Sequence, residues 1–197
     1  MTELTFFVGQ TPGNASTTAV LHATISGNVV TQSTTATNHS ILAFLTSTIG
    51  QISPARIRVD NNTVINNSTS GSTRGILVDT PDTSTSPSFD ATVTNNSVAI
   101  GDSINGVSGL VAQARKASET CTSLSGNTVT FPNGTPSGIQ GLRARQADTA
   151  VYDLQTSVSC TGTAATVLSC LNPSATTEVL GTINTVSPGT CLLPVTP

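Results

Sequence analysis

The sequence predicts an all-β fold: a right-handed parallel β-helix, or solenoid, of about four to five turns with a small C-terminal cap that contains a short helix. The first observation is a six-residue motif of an apolar residue, a polar residue, Gly or Asn, Asn, usually a small polar residue, and Val. It begins at Ile25, Val59, Val93 and Leu124, so successive copies lie 34, 34 and 31 residues apart. The second observation is an apolar strand motif that keeps step with the first and begins at Leu4, Ile41, Ile76, Leu110 and Leu142. Two motifs that repeat together at this period indicate stacked turns built from two alternating strand types.

The composition is that of an ordered, strand-rich protein. Of the 197 residues 36% are hydrophobic and 9% are charged, and the net charge is −3, whereas disordered chains combine low hydrophobicity with high net charge. The abundant Thr and Val residues favour strands because β-branched side chains pack well on a pleated surface. Only seven residues are Lys or Arg, which argues against nucleic acid and against an anionic membrane surface as partners. No apolar run is long enough for membrane insertion.

The two motifs also predict the core. Alternate residues of a strand point to the same face, and parallel strands of successive turns lie about 4.8 Å apart, so equivalent residues should stack in files. The expected inward files are Ile25, Val59, Val93 and Leu124; Val30, Val64, Val98 and Val129; Ile41, Ile76, Leu110 and Leu142; and Ala43, Val78, Ala112 and Ala144. The segments between the motifs, such as 31–38 and 66–73, are rich in Ser, Thr, Asn and Gly. They are predicted loops, which in solenoids often form the binding face.

The Asn that recurs in the first motif is predicted to hold the fold and to take no part in chemistry. Its copies are Asn28, Asn62, Asn96 and Asn127. The chain must bend sharply at this corner, and Asn, like the Gly or Asn that precedes it, tolerates a left-handed backbone better than other residues. Stacked Asn side chains can then form a ladder of hydrogen bonds from turn to turn.

The repeats occupy residues 1–147, and a capping segment is expected over 148–197. Residues 163–171 are the best helix candidate, with Thr161 or Thr163 as the N-cap and Asn172 followed by Pro173 as the stop. Short strands are expected at 148–154 and within 178–185. The helix is predicted to cover the open end of the stack, which would otherwise expose core and strand edges.

The cysteines lie only toward the C-terminal end, at Cys121, Cys160, Cys170 and Cys191. An even number confined to one end suits two disulfides in an exported protein, and hence an extracellular or cell-surface location. A zinc site is the alternative, but no CxxC pair exists and both histidines are distant in sequence. The first eight residues lack the features of a signal peptide. We therefore expect a piece of a longer chain whose N-terminal turn meets further turns or another subunit.

A resemblance to known proteins agrees with this architecture. The repeat resembles those of the right-handed parallel β-helices of the pectate-lyase-like superfamily, and more closely the C-terminal end of large bacterial secreted or cell-surface β-helix proteins. The matching features are Cys121, Leu-Ser-Gly-Asn at 124–127, Arg-Ala-Arg-Gln at 143–146, and Cys191. The resemblance implies a fold rather than an activity. It also implies a Cys121–Cys191 disulfide, which leaves Cys160 and Cys170, an addition to that pattern, as the second pair.

No residue is singled out as catalytic, and no metal or cofactor is expected. Enzymes that act on acidic polysaccharides need clustered carboxylates for calcium, a suitably placed base, or paired acids. The acids of the middle turns are Asp60, Asp79, Asp82, Asp90 and Asp102. No file carries two of them on adjacent turns, so the favoured interpretation is that they are solvated loop residues. His22 and His39 each precede a core strand and are interpreted as structural or exposed.

An outward-facing arginine patch is the candidate binding surface. Arg143 and Arg145 flank an inward-facing residue and should therefore point outward together, while Arg74 and Arg115 come from neighbouring turns. Such a patch is suited to a sugar acid or a sulfate. The favoured alternative is that these arginines pair with surface acids. The expected partners in that case are Asp148, Asp153 and Glu119.

These observations leave more than one function open. The first hypothesis is a non-enzymatic module of an exported bacterial surface or secreted protein, with a structural, adhesion or assembly role. The alternative is a carbohydrate-binding or carbohydrate-active β-helix for acidic polysaccharide, with glycans bound at a face that includes Arg74, Arg143 and Arg145. Ice binding is a third interpretation, which is weak because Thr does not recur at one regular spacing.

Overall fold

The computed structural model describes residues 4–9, 20–46, 54–69, 73–80, 88–101, 108–134 and 141–194. Within these ranges one helix, α1 (Ala164–Leu171), accompanies a series of short strands. The strands are β1 (Leu4–Gly9), β2 (Leu21–Ser26), β3 (Val29–Gln32), β4 (Ile41–Thr46), β5 (Ala55–Asp60), β6 (Thr63–Asn66), β7 (Ile76–Thr80), β8 (Ser88–Thr94), β9 (Ser97–Ile100), β10 (Leu110–Ala114), β11 (Glu119–Ser125), β12 (Thr128–Thr130), β13 (Leu142–Gln146), β14 (Val151–Gln155), β15 (Thr177–Leu180) and β16 (Asn184–Val186).

The strands form three parallel sheets, and each sheet takes one strand from each successive turn. Sheet A has the order β1-β4-β7-β10-β13-β15, sheet B has the order β2-β5-β8-β11-β14-β16, and sheet C has the order β3-β6-β9-β12. The chain therefore passes from sheet A to sheet B to sheet C and begins again one layer further on. This arrangement is a parallel β-solenoid of about four turns, which confirms the predicted fold class.

The register of the stack is the one that the sequence motifs predict. Ile25 pairs with Val59, which pairs with Val93, and in sheet A Ile41 pairs with both Leu4 and Ile76. Every member of the four predicted files is buried. The apolar core thus fills the space enclosed by the three sheets, because residues two apart on each strand face inward.

The sequence predicts two strand types per turn, and the structure has three, because the Asn motif is divided between sheets B and C. The bend lies at the third residue of the motif, which has a positive φ in every copy. These residues are Gly27 (φ 68°), Asn61 (φ 54°), Asn95 (φ 56°) and Gly126 (φ 66°). The ladder asparagine that follows is not left-handed. The tolerance of Gly and Asn for this conformation is therefore used one residue before the ladder.

The interior also contains polar groups that the motifs do not predict. Thr120 and Thr122 on β11 are buried, as is Tyr152 on β14. The Thr122 hydroxyl donates a hydrogen bond to the Tyr152 hydroxyl oxygen at 3.0 Å. Burial raises the pKa of Tyr152 well above its ordinary value. A hydrogen-bonded pair therefore replaces apolar packing near the C-terminal end of the core.

The C-terminal cap contains the predicted helix. Thr163 is its N-cap and accepts a hydrogen bond from the backbone N–H of Thr166 at 3.3 Å, while Val167 and Leu168 are fully buried in the core. The strand predicted at 148–154 is β14. The strand predicted within 178–185 is instead two strands, β15 and β16, because the chain turns between them at Gly181 (φ 82°) to move from sheet A to sheet B.

Two disulfides stabilise the C-terminal region, one between the tail and the repeats and one within the cap. Cys121 on β11 is bonded to Cys191 in the C-terminal tail, with an S–S distance of 2.05 Å. Cys160 is bonded to Cys170 in the last turn of α1, with an S–S distance of 1.98 Å. Since all four sulfurs are bonded to one another in pairs, the alternative of a zinc site at these cysteines is wrong.

Candidate functional site

The ladder of asparagines follows the corner between sheets B and C. Asn62 illustrates one rung: its Oδ1 accepts hydrogen bonds from the backbone N and the Nδ2 of Asn28, each at 3.0 Å. Its own Nδ2 donates to Asn96 Oδ1 at 2.9 Å and to the Ile25 carbonyl at 3.0 Å. Asn96 repeats this pattern with Asn127. The rungs from Asn62 onward are buried, so this part of the ladder joins the turns and offers no accessible group to a ligand, whereas Asn28 is partly exposed.

The ladder continues into the cap through a residue that the repeat does not predict. Asn172 Oδ1 accepts from the backbone N of Asn127 at 3.0 Å and from its Nδ2 at 3.1 Å. Its Nδ2 donates to the carbonyls of Leu124 and Leu168, each at 3.0 Å. Asn172 is also the C-cap of α1. Its side chain therefore connects α1 to the last turn of the stack through hydrogen bonds.

The arginines of the predicted patch lie together in one concavity on the outer surface of sheet A, here called the arginine cleft. Its volume is about 270 Å³. Arg74 reaches it from just before β7, Arg115 from just after β10, and Arg143 and Arg145 from β13. The structure thus brings together all four arginines of the predicted patch, Arg74, Arg115, Arg143 and Arg145. Four of the seven Lys and Arg residues of the chain line this cleft.

Strand register explains why these side chains meet. Val111 pairs with Arg143, and Gln113 pairs with Arg145, so the outward residues of β10 lie beside the outward residues of β13. On the other side of β10, Val111 pairs with Leu77. Leu77 and Val111 face outward yet are only 7% and 3% exposed. They form an apolar floor beneath the guanidinium groups.

Two of the four arginines are held by carboxylates. Arg115 Nε donates to Asp79 Oδ1 at 3.0 Å, and its Nη2 donates to Asp79 Oδ2. Arg143 Nε donates to Glu178 Oε2 at 2.5 Å. Bidentate contacts of the first kind fix the plane of a guanidinium as well as its position. Asp79 and Glu178 therefore orient two of the cleft arginines, Arg115 and Arg143.

These pairs correct the expected partners. The expected acids were Asp148, Asp153 and Glu119, but Asp148 accepts from the Lys116 backbone N and Asp153 accepts from Asn184 Nδ2. The Arg143 partner, Glu178, comes from β15 in the cap, and nothing in the repeat indicates its position. The sequence therefore predicts that arginine–carboxylate pairs form but names the wrong carboxylates.

The charges in the cleft also act on one another. Burial lowers the pKa of the Arg74 guanidinium from its ordinary value, and the positive charges of Arg143 and Arg145 lower it further. Arg74 Nη1 donates to the carbonyl of Thr73 at 2.6 Å. The cleft therefore concentrates positive charge in a partly buried place, where an anion would relieve the repulsion.

The described acids of the middle turns, Asp60, Asp79 and Asp90, lie on three different strands. The interpretation of the acids as solvated loop residues is wrong for Asp79 and Asp90, which lie on strands and are 3% and 6% exposed. Asp90 Oδ1 accepts from the backbone N of Leu192 at 3.0 Å, and burial raises its pKa. Asp60 also lies on a strand, at the end of β5; it is half-buried and accepts a hydrogen bond from its neighbour Asn61. Asp82 and Asp102 fall outside the described residues.

The two histidines have different positions. His22 is on β2 in sheet B, and His39 lies at the edge of the arginine cleft. Within the described ranges, no three or more His, Cys, Asp or Glu side chains form a group that could hold a metal ion. No helix in the described part of the chain has the length and apolar character needed to cross a membrane.

Comparisons with family models, with curated proteins and with solved structures give no match for this chain. The parallel β-solenoid therefore stands on the structure alone. The resemblance to the pectate-lyase-like superfamily, and the bacterial origin that it implies, stay predictions.

Proposed function

We propose that this chain is a non-catalytic binding module of an exported protein, and that it binds an anionic saccharide in the arginine cleft. The observation that carries this proposal is the gathering of four arginines in one cleft of a chain whose net charge is −3. Guanidinium groups bind carboxylate, sulfate and phosphate oxygens through charge-assisted, often bidentate hydrogen bonds.

The lining of the cleft supports a saccharide rather than a bare ion. Leu77 and Val111, which are almost fully buried, form its apolar base. Gln113, in register between Asp79 and Arg145, adds an amide that can both donate to and accept from hydroxyl groups. An apolar base with a few convergent polar groups is the usual composition of a small-molecule site.

The disulfides support the exported location. Both Cys121–Cys191 and Cys160–Cys170 are formed, and disulfides persist mainly in oxidising compartments. A rigid solenoid with a ligand site on one sheet suits adhesion to glycans at a cell surface. Contact of the N-terminal turn with further turns or another subunit stays a separate prediction about assembly.

The test is binding of acidic oligosaccharides by isothermal titration calorimetry, with the neutral oligosaccharide of the same length as the ligand control. Arg145→Ala is the informative variant, because Arg145 lines the cleft and is exposed. Arg58→Ala is its matched control, since it removes the same charge from β5 in sheet B. We expect about tenfold weaker binding for Arg145→Ala and little change for Arg58→Ala, as a lost charge-assisted hydrogen bond accounts for such a factor. Equal affinity of both variants, or no affinity for any acidic saccharide, would refute the proposal.

A further inference from the structure

We infer that the outer surface of sheet C is an ice-binding face. This inference goes beyond the proposed function, because it concerns another sheet and another ligand and does not depend on the arginine cleft. The features of the described residues that lead to it are the regular spacing of the outward side chains, their chemistry, and the small area of the surface.

The outward side chains of sheet C form two files that cross all of its strands. The first residues of the strands pair with one another from turn to turn, and so do the third residues. Parallel strands lie about 4.8 Å apart, and residues two apart on a strand are separated by about 6.6 Å. The outward positions therefore form a rectangular array with these two repeats.

The asparagine ladder lies directly beside this array. Each of its rungs precedes a strand of sheet C, as Asn62 precedes Thr63 and Asn96 precedes Ser97. The Nδ2–Oδ1 hydrogen bonds between successive rungs are 2.9 or 3.0 Å long. Specific side-chain ladders stabilise flat sheets against their usual twist. The ladder therefore holds the outward residues of sheet C at a constant spacing.

The side chains of the array are short, uncharged and at least partly exposed. The first file is Val29, Thr63, Ser97 and Thr128, and the second is Thr31, Ile65, Ala99 and Thr130. Hydroxyl groups donate to and accept from water, whereas first-shell water at a methyl group bonds to other water. The strands of sheet C carry no charged residue, so no ammonium or carboxylate holds a hydration shell of its own on this face.

Ordered water matches this combination of spacing and chemistry. The two repeats of the array are close to the oxygen repeats on the prism faces of ice. Water held between neighbouring methyl and hydroxyl groups can therefore occupy positions of the ice lattice. Thr does not recur at one regular spacing in the sequence, but the outward positions of sheet C do recur regularly, and small or β-branched residues fill them.

The area of the array argues against a second copy or another protein as the ligand. Four strands with about four residues each cover about 19 Å by 13 Å, or about 250 Å². A stable protein–protein interface takes about 800 Å² from each partner, and its binding energy comes mainly from anchors such as Trp, Tyr and Arg. The strands of sheet C contain none of these residues. An ice surface needs no anchor, because adsorption depends on a match over the whole array.

The test is incorporation of the whole chain into slowly growing ice, measured as its concentration in the ice relative to the remaining liquid. We expect enrichment in the ice compared with serum albumin, the non-binding reference. Thr63→Lys places a strongly hydrated ammonium within the array and should remove this enrichment. Thr24→Lys is the matched control, because Thr24 is exposed on β2 in sheet B, and it should keep the enrichment.

Melting temperatures of the variants are measured first. Thr63 and Thr24 are exposed, and exposed substitutions usually change stability by less than about 0.5 kcal/mol. Should Thr63→Lys not fold, Ser97→Lys on β9 makes the same change in the next turn.

The shape of single ice crystals is a second readout. Adsorption to prism faces should turn the round discs that grow in buffer into faceted hexagonal crystals. The unsubstituted chain and Thr24→Lys should both produce facets, whereas Thr63→Lys should leave the crystals round. Round crystals with the unsubstituted chain would contradict the assigned match to the prism faces.

Other outcomes would overturn the inference. Incorporation of the unsubstituted chain no greater than that of serum albumin would refute it, and equal incorporation of Thr63→Lys and Thr24→Lys would place ice binding away from sheet C. Dimerisation in sedimentation velocity that only Thr63→Lys abolishes would assign the face to a second copy. Binding to insoluble crystalline polysaccharide, lost in Thr63→Lys and without incorporation into ice, would assign it to a glycan. Each result is independent of the proposed function, because the arginine cleft lies on sheet A.

Discussion

The asparagine ladder and the arginine cleft are both lines of polar side chains that cross several turns of the same solenoid. In the ladder one residue type recurs at one position, and each Oδ1 from Asn62 to Asn172 accepts two hydrogen bonds from the rung before it. In the cleft the equivalent positions of sheet A change from turn to turn, as in the pairing of Asp79 with Gln113 and of Gln113 with Arg145. The first line is uniform and internally satisfied, and the second is irregular and rich in one charge.

This difference separates structural polar groups from candidate binding groups. A buried amide is tolerated when its hydrogen bonds are complete, and repetition completes them because each turn presents the same partner to the next. A binding site needs polar groups that are not fully used by the fold. Substitutions in the two regions should therefore have opposite effects, on stability in the ladder and on ligand binding in the cleft.

The largest expected effect is that of Asn96→Ala. The substitution leaves the backbone N–H and Nδ2 of Asn62 without the Asn96 Oδ1 acceptor, and unsatisfied buried groups cost about 1–3 kcal/mol each. We expect the free energy of unfolding to fall by about 3 kcal/mol, measured by chemical denaturation. The control is Asn133→Ala, which removes an exposed Asn. A loss for Asn96→Ala no larger than that of the control would show that the ladder does not hold the turns together.

Asn172→Ala should have a somewhat smaller effect, because the last rung has a neighbouring rung on one side only. The expected loss is about 2 kcal/mol, from the missing acceptor for the backbone N and Nδ2 of Asn127. Hydrogen exchange should also become faster in α1, because the bond from the Asn172 side chain to the Leu168 carbonyl is lost. Ser169→Ala, an exposed substitution on the same helix, is the control. Unchanged exchange in α1 would mean that the ladder does not lock the cap.

Substitutions of the glycines at the bend test how much the left-handed corner contributes to stability compared with the ladder. Gly126 and Gly27 have nearly the same φ, 66° and 68°. A Cβ at Gly126 would lie 2.4 Å from Asn95 Oδ1, whereas a Cβ at Gly27 would meet no atom of the described residues within 4 Å. Left-handed backbone costs a non-glycine residue about 1–2 kcal/mol. We expect Gly27→Ala to lower the melting temperature by an amount that corresponds to about 1 kcal/mol of stability. For Gly126→Ala we expect a larger decrease, which corresponds to about 1.5 kcal/mol. Equal losses would show that the Asn95 side chain moves away freely.

The smallest expected effects on stability are in the cleft. Arg145→Ala should change the free energy of unfolding by less than about 0.5 kcal/mol, and Arg143→Ala, which breaks the partly exposed pair with Glu178, by less than about 1 kcal/mol. The loss for Arg143→Ala should shrink at 1 M salt because salt screens exposed ion pairs. If either variant destabilised the protein as much as Asn96→Ala, the cleft arginines would stabilise the fold as the ladder does. The distinction between a structural ladder and a binding cleft would then be wrong.

Much of the fold is predictable because it follows from periodic patterns in the sequence. Side chains alternate between the two faces of a strand, and equivalent residues of a solenoid recur once per turn. Ile25, Val59 and Val93 are therefore recognisable as one file from their spacing alone. The same reasoning identifies the ladder asparagines and the outward direction of Arg143 and Arg145. The stop of the helix at Asn172 is also readable from local signals.

The rest depends on contacts between residues that no period connects. Asn172 lies 45 residues beyond Asn127 and joins the ladder from a helix, and Glu178 meets Arg143 from a cap strand that breaks the repeat. The burial of the outward-facing Leu77 and Val111 is also invisible in the motif, because exposure depends on what lies across the sheet surface.

The sequence by itself determined the solenoid, its register, its core files and the asparagine corner, because each follows from which residue types recur at which spacing. Only the tertiary structure decided that the corner divides two sheets, that the ladder ends in the cap, and that four arginines converge over an apolar floor. The physical reason is that repetition is a one-dimensional property, whereas a cleft is formed by side chains from several turns that differ from one another.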